Sequence, residues 1–114
     1  KELHGQTLDF NIDNANNRHV YHLLTAYVNP SKKISRDKII NMLYKKYNIQ
    51  SIVQFYPLYK YPLFKKMGLG KAKCPNTELF YKNMISFPFH VWLSESQIKY
   101  MTSSIKKCIS NLQL

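Results

Sequence analysis

The fold class is decided by residues 21–56, which read YHLLTAYVNPSKKISRDKIINMLYKKYNIQSIVQFY. The stretch 21–28 is apolar and aromatic and ends at an Asn-Pro pair, which is typical of a strand with a stop signal. Ser35 then begins a predicted helix, whose apolar residues recur at helical spacing to about residue 48. A second strand is predicted over 49–56, and its alternation separates the side chains of successive residues onto two faces.

The C-terminal half continues this alternation of helices and strands. A short helical turn is predicted over 63–67, a longer helix from Pro75 to about residue 85, and a third strand over 86–90. Pro88 favours an edge position for that strand. Three apolar residues of the helix are predicted to point inward: Leu79, Phe80 and Met84.

The last helix has the clearest start signal. Ser94 and Gln97 have the spacing of a capping box, with Ser at the N-cap and Gln three residues later. An apolar stripe follows it: Ile98, Met101, Ile105, Cys108 or Ile109, and Leu112. The elements together predict an α+β fold, in which a small antiparallel or mixed sheet has helices packed on one face.

Length and composition fit one globular domain. The chain has 114 residues, of which 45% are hydrophobic and 20% are charged, which is enough for one core. These values exclude a disordered tail, a collagen-like repeat and a coiled coil. No apolar run approaches the roughly 20 residues that a membrane-spanning helix needs, and we expect a soluble, cytoplasmic chain without membrane contact.

The charge balance is strongly basic. Seventeen Lys and Arg residues against six Asp and Glu residues give a formal net charge of +11. Such a domain attracts nucleic acid, anionic membrane surfaces, phosphorylated small molecules or acidic proteins. The basic residues are scattered along the chain, so the excess also fits one piece of a larger and more balanced protein.

The residue types that most often carry chemistry form no recognisable set. Cys74 and Cys108 provide neither a zinc ligand set nor a disulfide framework, and we expect two reduced thiols. His19 and His22 would point to opposite faces of a strand and have no carboxylate or thiolate nearby, so no metal site is predicted. The glycines around residues 68–70 lack the spacing of phosphate-binding loops and are interpreted as a turn.

The richest feature is the aromatic, proline-broken segment 55–64, which lies beside several lysines. It is compatible with three roles. The aromatic rings could stack on nucleic-acid bases, form a wall against a planar ligand or a second domain, or fill space as a partly buried loop. The residue types alone leave these three interpretations open.

Four motifs stand in chain order: HVYHL at 19–23, VQFYPLYKYPLFK at 53–65, CPNTE at 74–78, and SFPFH at 86–90 followed by LSE at 93–95. Together they resemble the DegT/DnrJ/EryC1/StrS family of pyridoxal-phosphate sugar aminotransferases. The resemblance covers the chain from about residue 19 to its C-terminus.

In that family a large N-terminal domain holds the cofactor and its Schiff-base lysine, and a small α+β C-terminal domain closes one side of the active site. The resemblance therefore implies that residues 19–114 form the small domain of a fold-type-I aminotransferase, after an irregular lead-in over 1–18. It implies a chain that is inactive alone, with no catalytic, cofactor-binding or metal-binding residue of its own. Pyridoxal phosphate, a nucleotide-sugar substrate, the missing large domain and a homodimer partner belong to the parent enzyme.

The resemblance places four residues at the substrate-facing edge of the parent enzyme: Gln54, Phe55, Tyr56 and Tyr59. Gln54 stands where many members have His, so it can hydrogen-bond a sugar but cannot act as a general base. Tyr59 replaces a second His and keeps a hydroxyl. Because of these departures, two reactions remain possible for the parent enzyme: that of a sugar aminotransferase and that of a sugar dehydratase of the same family. Packing at the interdomain joint is the alternative role for the four residues, and a basic nucleic-acid-binding module is the alternative for the chain.

Overall fold

A three-stranded sheet forms the centre of the fold. The computed structural model describes residues 3, 7–11 and 16–113. Strands β1 (Leu8–Phe10), β2 (Leu24–Val28) and β3 (Met84–Phe87) pair antiparallel in the order β1-β2-β3. Leu8 lies opposite Val28, and Ala26 lies opposite Ile85. The sheet is therefore antiparallel throughout.

The described residues form four α-helices: α1 (Arg36–Tyr47), α2 (Pro62–Lys66), α3 (Pro75–Asn83) and α4 (Glu95–Gln113). Three short 3-10 turns occur at Pro30–Lys32, Leu58–Lys60 and Leu69–Lys71. In the described part of the chain, no helix combines the length and the apolar character needed to cross a bilayer.

The core lies between one face of the sheet and the two helices α1 and α4, which pack against each other. Its buried members come from all of these elements: Leu8, Ala26, Val28, Ile39, Leu43, Ile85, Phe87, Ile105, Cys108 and Ile109. The α+β prediction and the helices on one face of the sheet are confirmed. In addition, α3 contacts β2, where the rings of Tyr27 and Phe80 stack with centroids 6.2 Å apart.

The ends of α1 follow from local chemistry. The Ser35 hydroxyl accepts a hydrogen bond from the Lys38 amide at 3.2 Å, as an N-cap does. Asn48 ends the helix in the left-handed conformation with φ of 52°, which Asn tolerates better than most residues. The prediction of a helix from Ser35 to about residue 48 is confirmed.

The start of α4 also confirms its prediction. The Ser94 hydroxyl accepts from the Gln97 amide at 3.2 Å, and the Gln97 side chain accepts from the Ser94 amide at 2.9 Å. These reciprocal bonds are the two halves of a capping box. Ile105, Cys108 and Ile109 of the predicted stripe are buried, while Met101 and Leu112 pack against the core at its edge and Ile98 is exposed.

The second predicted strand is wrong for most of its length. Within 49–56, only Ile52 pairs with the sheet, through two backbone hydrogen bonds to Ser86. The chain then leaves the sheet, because the residues that follow fold against α3 instead. The residues alternate as predicted, but only one of them forms a β-bridge to the sheet, and no continuous strand pairing follows.

The region around α3 also differs from its prediction. Leu79 and Phe80 were expected to point inward, but 53% and 47% of their surfaces are exposed, whereas Met84 is buried as expected. The helix ends at Asn83, two residues earlier than predicted, and β3 begins directly at Met84 rather than at Ser86. Met84 and Ile85 are therefore strand residues, and Pro88 lies just beyond the strand.

The N-terminal segment contributes to the sheet. Strand β1 occupies Leu8–Phe10, inside the segment that was expected to be an irregular lead-in. Leu8 is fully buried, and the backbone of Thr7 accepts a hydrogen bond from the Asn29 amide at 2.9 Å. The lead-in predicted over 1–18 lies partly outside the described residues.

Candidate substrate-facing site

Residues 53–74 form an excursion from the sheet that carries the aromatic segment. After the bridge at Ile52 the chain passes through a cis peptide bond between Gln54 and Phe55. The 3-10 turn at Leu58–Lys60, the helix α2 and the 3-10 turn at Leu69–Lys71 then pack mainly on one another. Gly68, with φ of 83°, allows the reversal after α2. The glycines at 68 and 70 belong to this turn, as the sequence predicted.

Glu78 joins this excursion to α3. One of its carboxylate oxygens accepts a hydrogen bond from the Tyr59 hydroxyl at 2.8 Å, and the other pairs with the Lys60 ammonium at 2.5 Å. Both partners lie on one 3-10 turn, and Glu78 lies in the first turn of α3. The carboxylate thereby ties two consecutive residues of the loop to one point on the helix.

These contacts change the titration of all three groups. The hydrogen bonds from Lys60 and Tyr59 hold the pKa of the Glu78 carboxyl below its ordinary value. Desolvation, together with the hydrogen bond to Glu78, raises the pKa of Tyr59 to about 12. The hydrogen bond to Glu78 also raises the pKa of Lys60. Near neutral pH the site therefore holds a carboxylate, a protonated phenol and an ammonium group.

A cluster of tyrosine rings lies beside this ion pair. Tyr56 meets Tyr61 and Tyr81 edge-to-face, with ring centroids 5.1 and 5.5 Å apart. The Arg36 guanidinium lies 5.7 Å from the centroid of the Tyr81 ring and donates a hydrogen bond to the Tyr81 carbonyl at 2.6 Å. Edge-to-face pairs and a cation over a ring are favourable aromatic geometries. They connect the loop to α3 and to the start of α1.

The structure brings together two of the four predicted site residues. Tyr56 and Tyr59 lie on the same face of the loop, against α3, through the contacts above. Phe55 is 67% exposed and Gln54 is half-buried. Among the described residues, no hydrogen bond or ring contact joins Gln54 or Phe55 to this cluster. The Tyr59 hydroxyl, expected to face a sugar, already donates its proton to Glu78.

Three residues of the site were missed as functional candidates: Glu78, Arg36 and Tyr81. Glu78 was noticed only as part of the motif that opens a helix. A lone acidic residue among an excess of lysines, four residues after Cys74, could have suggested an ion pair. Its partners lie 18 and 19 residues earlier in the chain, so the sequence does not identify them.

A concave region with a different lining lies next to the sheet. A cavity of about 410 Å³ opens between the sheet and the first turns of α4. Its walls are mostly apolar, with a few polar groups such as Asn11 and His19, whose side chains lie 3.3 Å apart. His22 and His90 are exposed. Among the described residues, no group of three or more His, Cys, Asp or Glu side chains is placed to hold a metal ion.

Comparison with known protein families identifies the family of this chain. Residues 1–106 match the model of the DegT/DnrJ/EryC1/StrS aminotransferase family. The chain belongs to this family. The match includes β1 as well as all four motifs. It therefore begins before residue 19, where the first motif starts.

Individual relatives cover most of the chain but extend well beyond it. MJ1066 of Methanocaldococcus jannaschii is 34% identical over 95 residues, which is 82% of this chain and 24% of that protein. SpsC of Bacillus subtilis, a spore coat polysaccharide biosynthesis protein, is 28% identical over 94 residues, 81% of this chain and 24% of that protein. The chain thus spans about a quarter of the length of these relatives.

Part of a solved structure has the same fold. Spr1654 of Streptococcus pneumoniae, provisionally named a sugar aminotransferase and solved in its PMP form, matches with a TM-score of 0.74 at 23% identity. The match covers 97% of this chain and 28% of that chain. The small three-stranded sheet with its helices therefore has the same fold as about a quarter of that longer chain.

The DegT/DnrJ/EryC1/StrS family depends on pyridoxal phosphate, and the surroundings of the lysines that the structure describes do not fit the covalent site for that cofactor. A Schiff base forms from a neutral amine, which enzymes obtain by desolvating a lysine or placing it beside another cation. Lys60, the one half-buried lysine among the described residues, is instead paired with Glu78, which favours its protonated form. The other described lysines are exposed.

Proposed function

We propose that this chain is the C-terminal small domain of a cytoplasmic, pyridoxal-phosphate-dependent nucleotide-sugar aminotransferase. It forms one wall of the substrate site and part of the oligomer interface of a homodimer. Catalysis requires the large domain, which supplies the cofactor and its lysine. The chain is therefore inactive by itself and binds no cofactor.

The observation that carries this proposal is the organisation of the loop 54–60. Gln54 and Phe55 precede a segment fixed to α3 by the Glu78 contacts and by the Tyr56 ring contacts. A rigid loop that presents an amide, an exposed ring and an ammonium group suits a sugar carrying phosphate groups, because amides and lysines hydrogen-bond hydroxyl and phosphate oxygens. Membership of a sugar aminotransferase family supports a sugar ligand.

The interface part of the proposal is supported by exposed apolar side chains. Val91 and Trp92, in the turn after β3, are 89% and 84% exposed. Val20 and Phe89 are exposed as well, and the rings of Tyr21 and Phe89 lie 6.5 Å apart. Contiguous exposed apolar residues mark interaction sites more often than free surface. We assign this surface to contacts with the large domain and the partner subunit.

Two alternative functions can be distinguished from this proposal by experiment. A sugar dehydratase of the same family would use the same small domain, and only the product distinguishes the two reactions. A nucleic-acid-binding module is favoured by the net charge of +11 and by the exposed ring of Phe55. Nucleic-acid binding of that kind falls steeply with salt.

The deciding experiment is an NMR titration of the chain with UDP-glucose, pyridoxal phosphate and single-stranded DNA, each at low and high salt. We expect weak binding of the sugar nucleotide, with a dissociation constant of roughly 1 mM and shifts confined to residues 54–60. Phe55→Ala reduces these shifts. Tyr44→Phe, on an exposed position of α1 away from the loop, leaves them unchanged.

Three results would overturn the proposal. Transamination by the chain alone would mean that it is not a partial active site. Shifts caused by pyridoxal phosphate at one lysine would locate a cofactor site here. Salt-sensitive DNA binding centred on the same tyrosines would favour the nucleic-acid module instead.

A further inference from the structure

Glu78 has a role that its motif does not suggest. Its two carboxylate oxygens are used separately, one by the Tyr59 hydroxyl and one by the Lys60 ammonium. The backbone of the same turn is closed by the Lys60 amide donating to the Pro57 carbonyl at 2.9 Å and the Tyr61 amide donating to the Leu58 carbonyl at 3.1 Å. The turn is thus locally folded, and the carboxylate fixes its orientation on α3.

We propose that Glu78 is a positioning residue that sets the hydrogen-bonding character of Tyr59 and Lys60 toward the substrate. Because the phenol gives its only proton to Glu78, its oxygen faces any ligand as an acceptor. Because one ammonium proton of Lys60 is directed to Glu78, the remaining two can point elsewhere. The ligand group beside Tyr59 is therefore a hydroxyl donor, and the group beside Lys60 is an anionic or carbonyl acceptor. This pairing with a ligand rests on the proposed function.

Few charged or titratable groups act on Tyr59, Lys60 and Glu78. Tyr56 and Cys74 face Tyr59, and Tyr56 and Tyr81 face Lys60. Lys60 and Tyr59 are the groups that act on Glu78 itself. Glu78 is therefore the one carboxylate among the groups that act on Tyr59 and Lys60, and its removal should change both partners at once.

The test is a pH titration of the chain with carbon-13-labelled tyrosine rings, which reports each phenol separately, with Tyr59 assigned from Tyr59→Phe. In the unaltered chain Tyr59 titrates near 12. In Glu78→Gln we expect its pKa to fall part of the way toward the ordinary value of about 10, because the negative charge of Glu78 has gone while the desolvation of the phenol remains. Glu95→Gln is the matched control, since Glu95 also lies in the first turn of a helix and pairs with a lysine, Lys99, at 3.6 Å.

A second measurement needs no substitution. Since the Glu78 pKa is lowered in the folded chain, its contacts persist as pH falls through the ordinary range of glutamate and are lost only below it. The ring signal of Tyr59 and the side-chain nitrogen signal of Lys60 should then move together, with one midpoint. A purely packing role for the turn would not produce this shared acid transition.

The outcomes separate this inference from the proposed function. If Tyr59 titrates identically in the unaltered chain and in Glu78→Gln, or if Tyr59 and Lys60 show no shared acid transition, the inference is wrong. If both effects occur and UDP-glucose causes no shifts, the positioning by Glu78 stands while the assigned ligand does not. If UDP-glucose binds, Glu78→Gln should weaken its binding several-fold, and Glu95→Gln should not.

Discussion

At the scale of the residue, the two thiols of the chain have opposite environments. Cys108 is fully buried between α1 and α4, and its thiol lies 3.8 Å from the Ile39 carbonyl, to which it donates. Burial raises the pKa of the Cys108 thiol to about 11. Cys74, at the start of α3, is half-buried. Since the thiolate is the reactive form, the two cysteines should differ in reactivity.

We expect a thiol reagent such as DTNB to modify Cys74 in the folded chain at pH 8 and to leave Cys108 unmodified until the chain unfolds. Cys74→Ser should then abolish the fast reaction. The same raised pKa predicts that stability is lost as pH rises from about 9 to about 11, because the unfolded thiol ionises first. Equal rates for both cysteines in the folded chain would contradict the burial of Cys108.

At the scale of the element, sequence predicted those segments whose signals are local. The periodicity of α1 and the reciprocal caps of Ser94 and Gln97 depend on neighbours within four residues, and both helices form where expected. The apolar pattern over 21–28 also predicted a strand, and β2 occupies its last five residues, Leu24–Val28. These elements needed no knowledge of the rest of the chain.

Elements that depend on distant partners were not predictable in the same way. Residues 53–56 alternate like a strand, yet the chain leaves the sheet there, and Tyr59 and Lys60 bind Glu78, which lies 19 and 18 residues later, respectively. Phe80 was expected in the core, but its ring stacks on Tyr27 of the central strand β2 and remains partly exposed. The candidate site shows the same limit. The sequence identified Tyr56 and Tyr59, but it did not identify α3 as the helix that both residues contact.

The capping box provides a test at this scale. Ser94→Ala removes the acceptor for the Gln97 amide, which leaves a helix N–H group without its cap. We expect a loss of about 1 kcal/mol in the free energy of unfolding, measured by urea titration. Ser110→Ala, at an exposed position near the other end of α4, should cause no loss, because Ala favours helix as well as or better than Ser. Equal losses for both variants would contradict the cap.

At the scale of the whole molecule, the excess of positive charge is largely uncompensated. The chain has seventeen basic residues and six acidic ones. The ion pairs formed among the described residues join Arg36 to Asp37, Lys60 to Glu78 and Lys99 to Glu95. Folding brings the remaining cations closer together, and their mutual repulsion opposes the compact state. In the proposed parent enzyme, a more acidic partner surface would relieve this repulsion.

The isolated chain should therefore become more stable when salt is added. Raising sodium chloride from about 0.01 M to about 0.1 M shortens the Debye length from roughly 30 Å to roughly 10 Å, which screens repulsion across most of the molecule. We expect the urea midpoint to rise over this range and then to level off. Replacing Lys71 and Lys73, two exposed loop residues, with Gln removes two positive charges and should reduce the rise. A midpoint that falls with salt would mean instead that attractive ion pairs, such as Lys60 with Glu78, dominate the electrostatics of the fold.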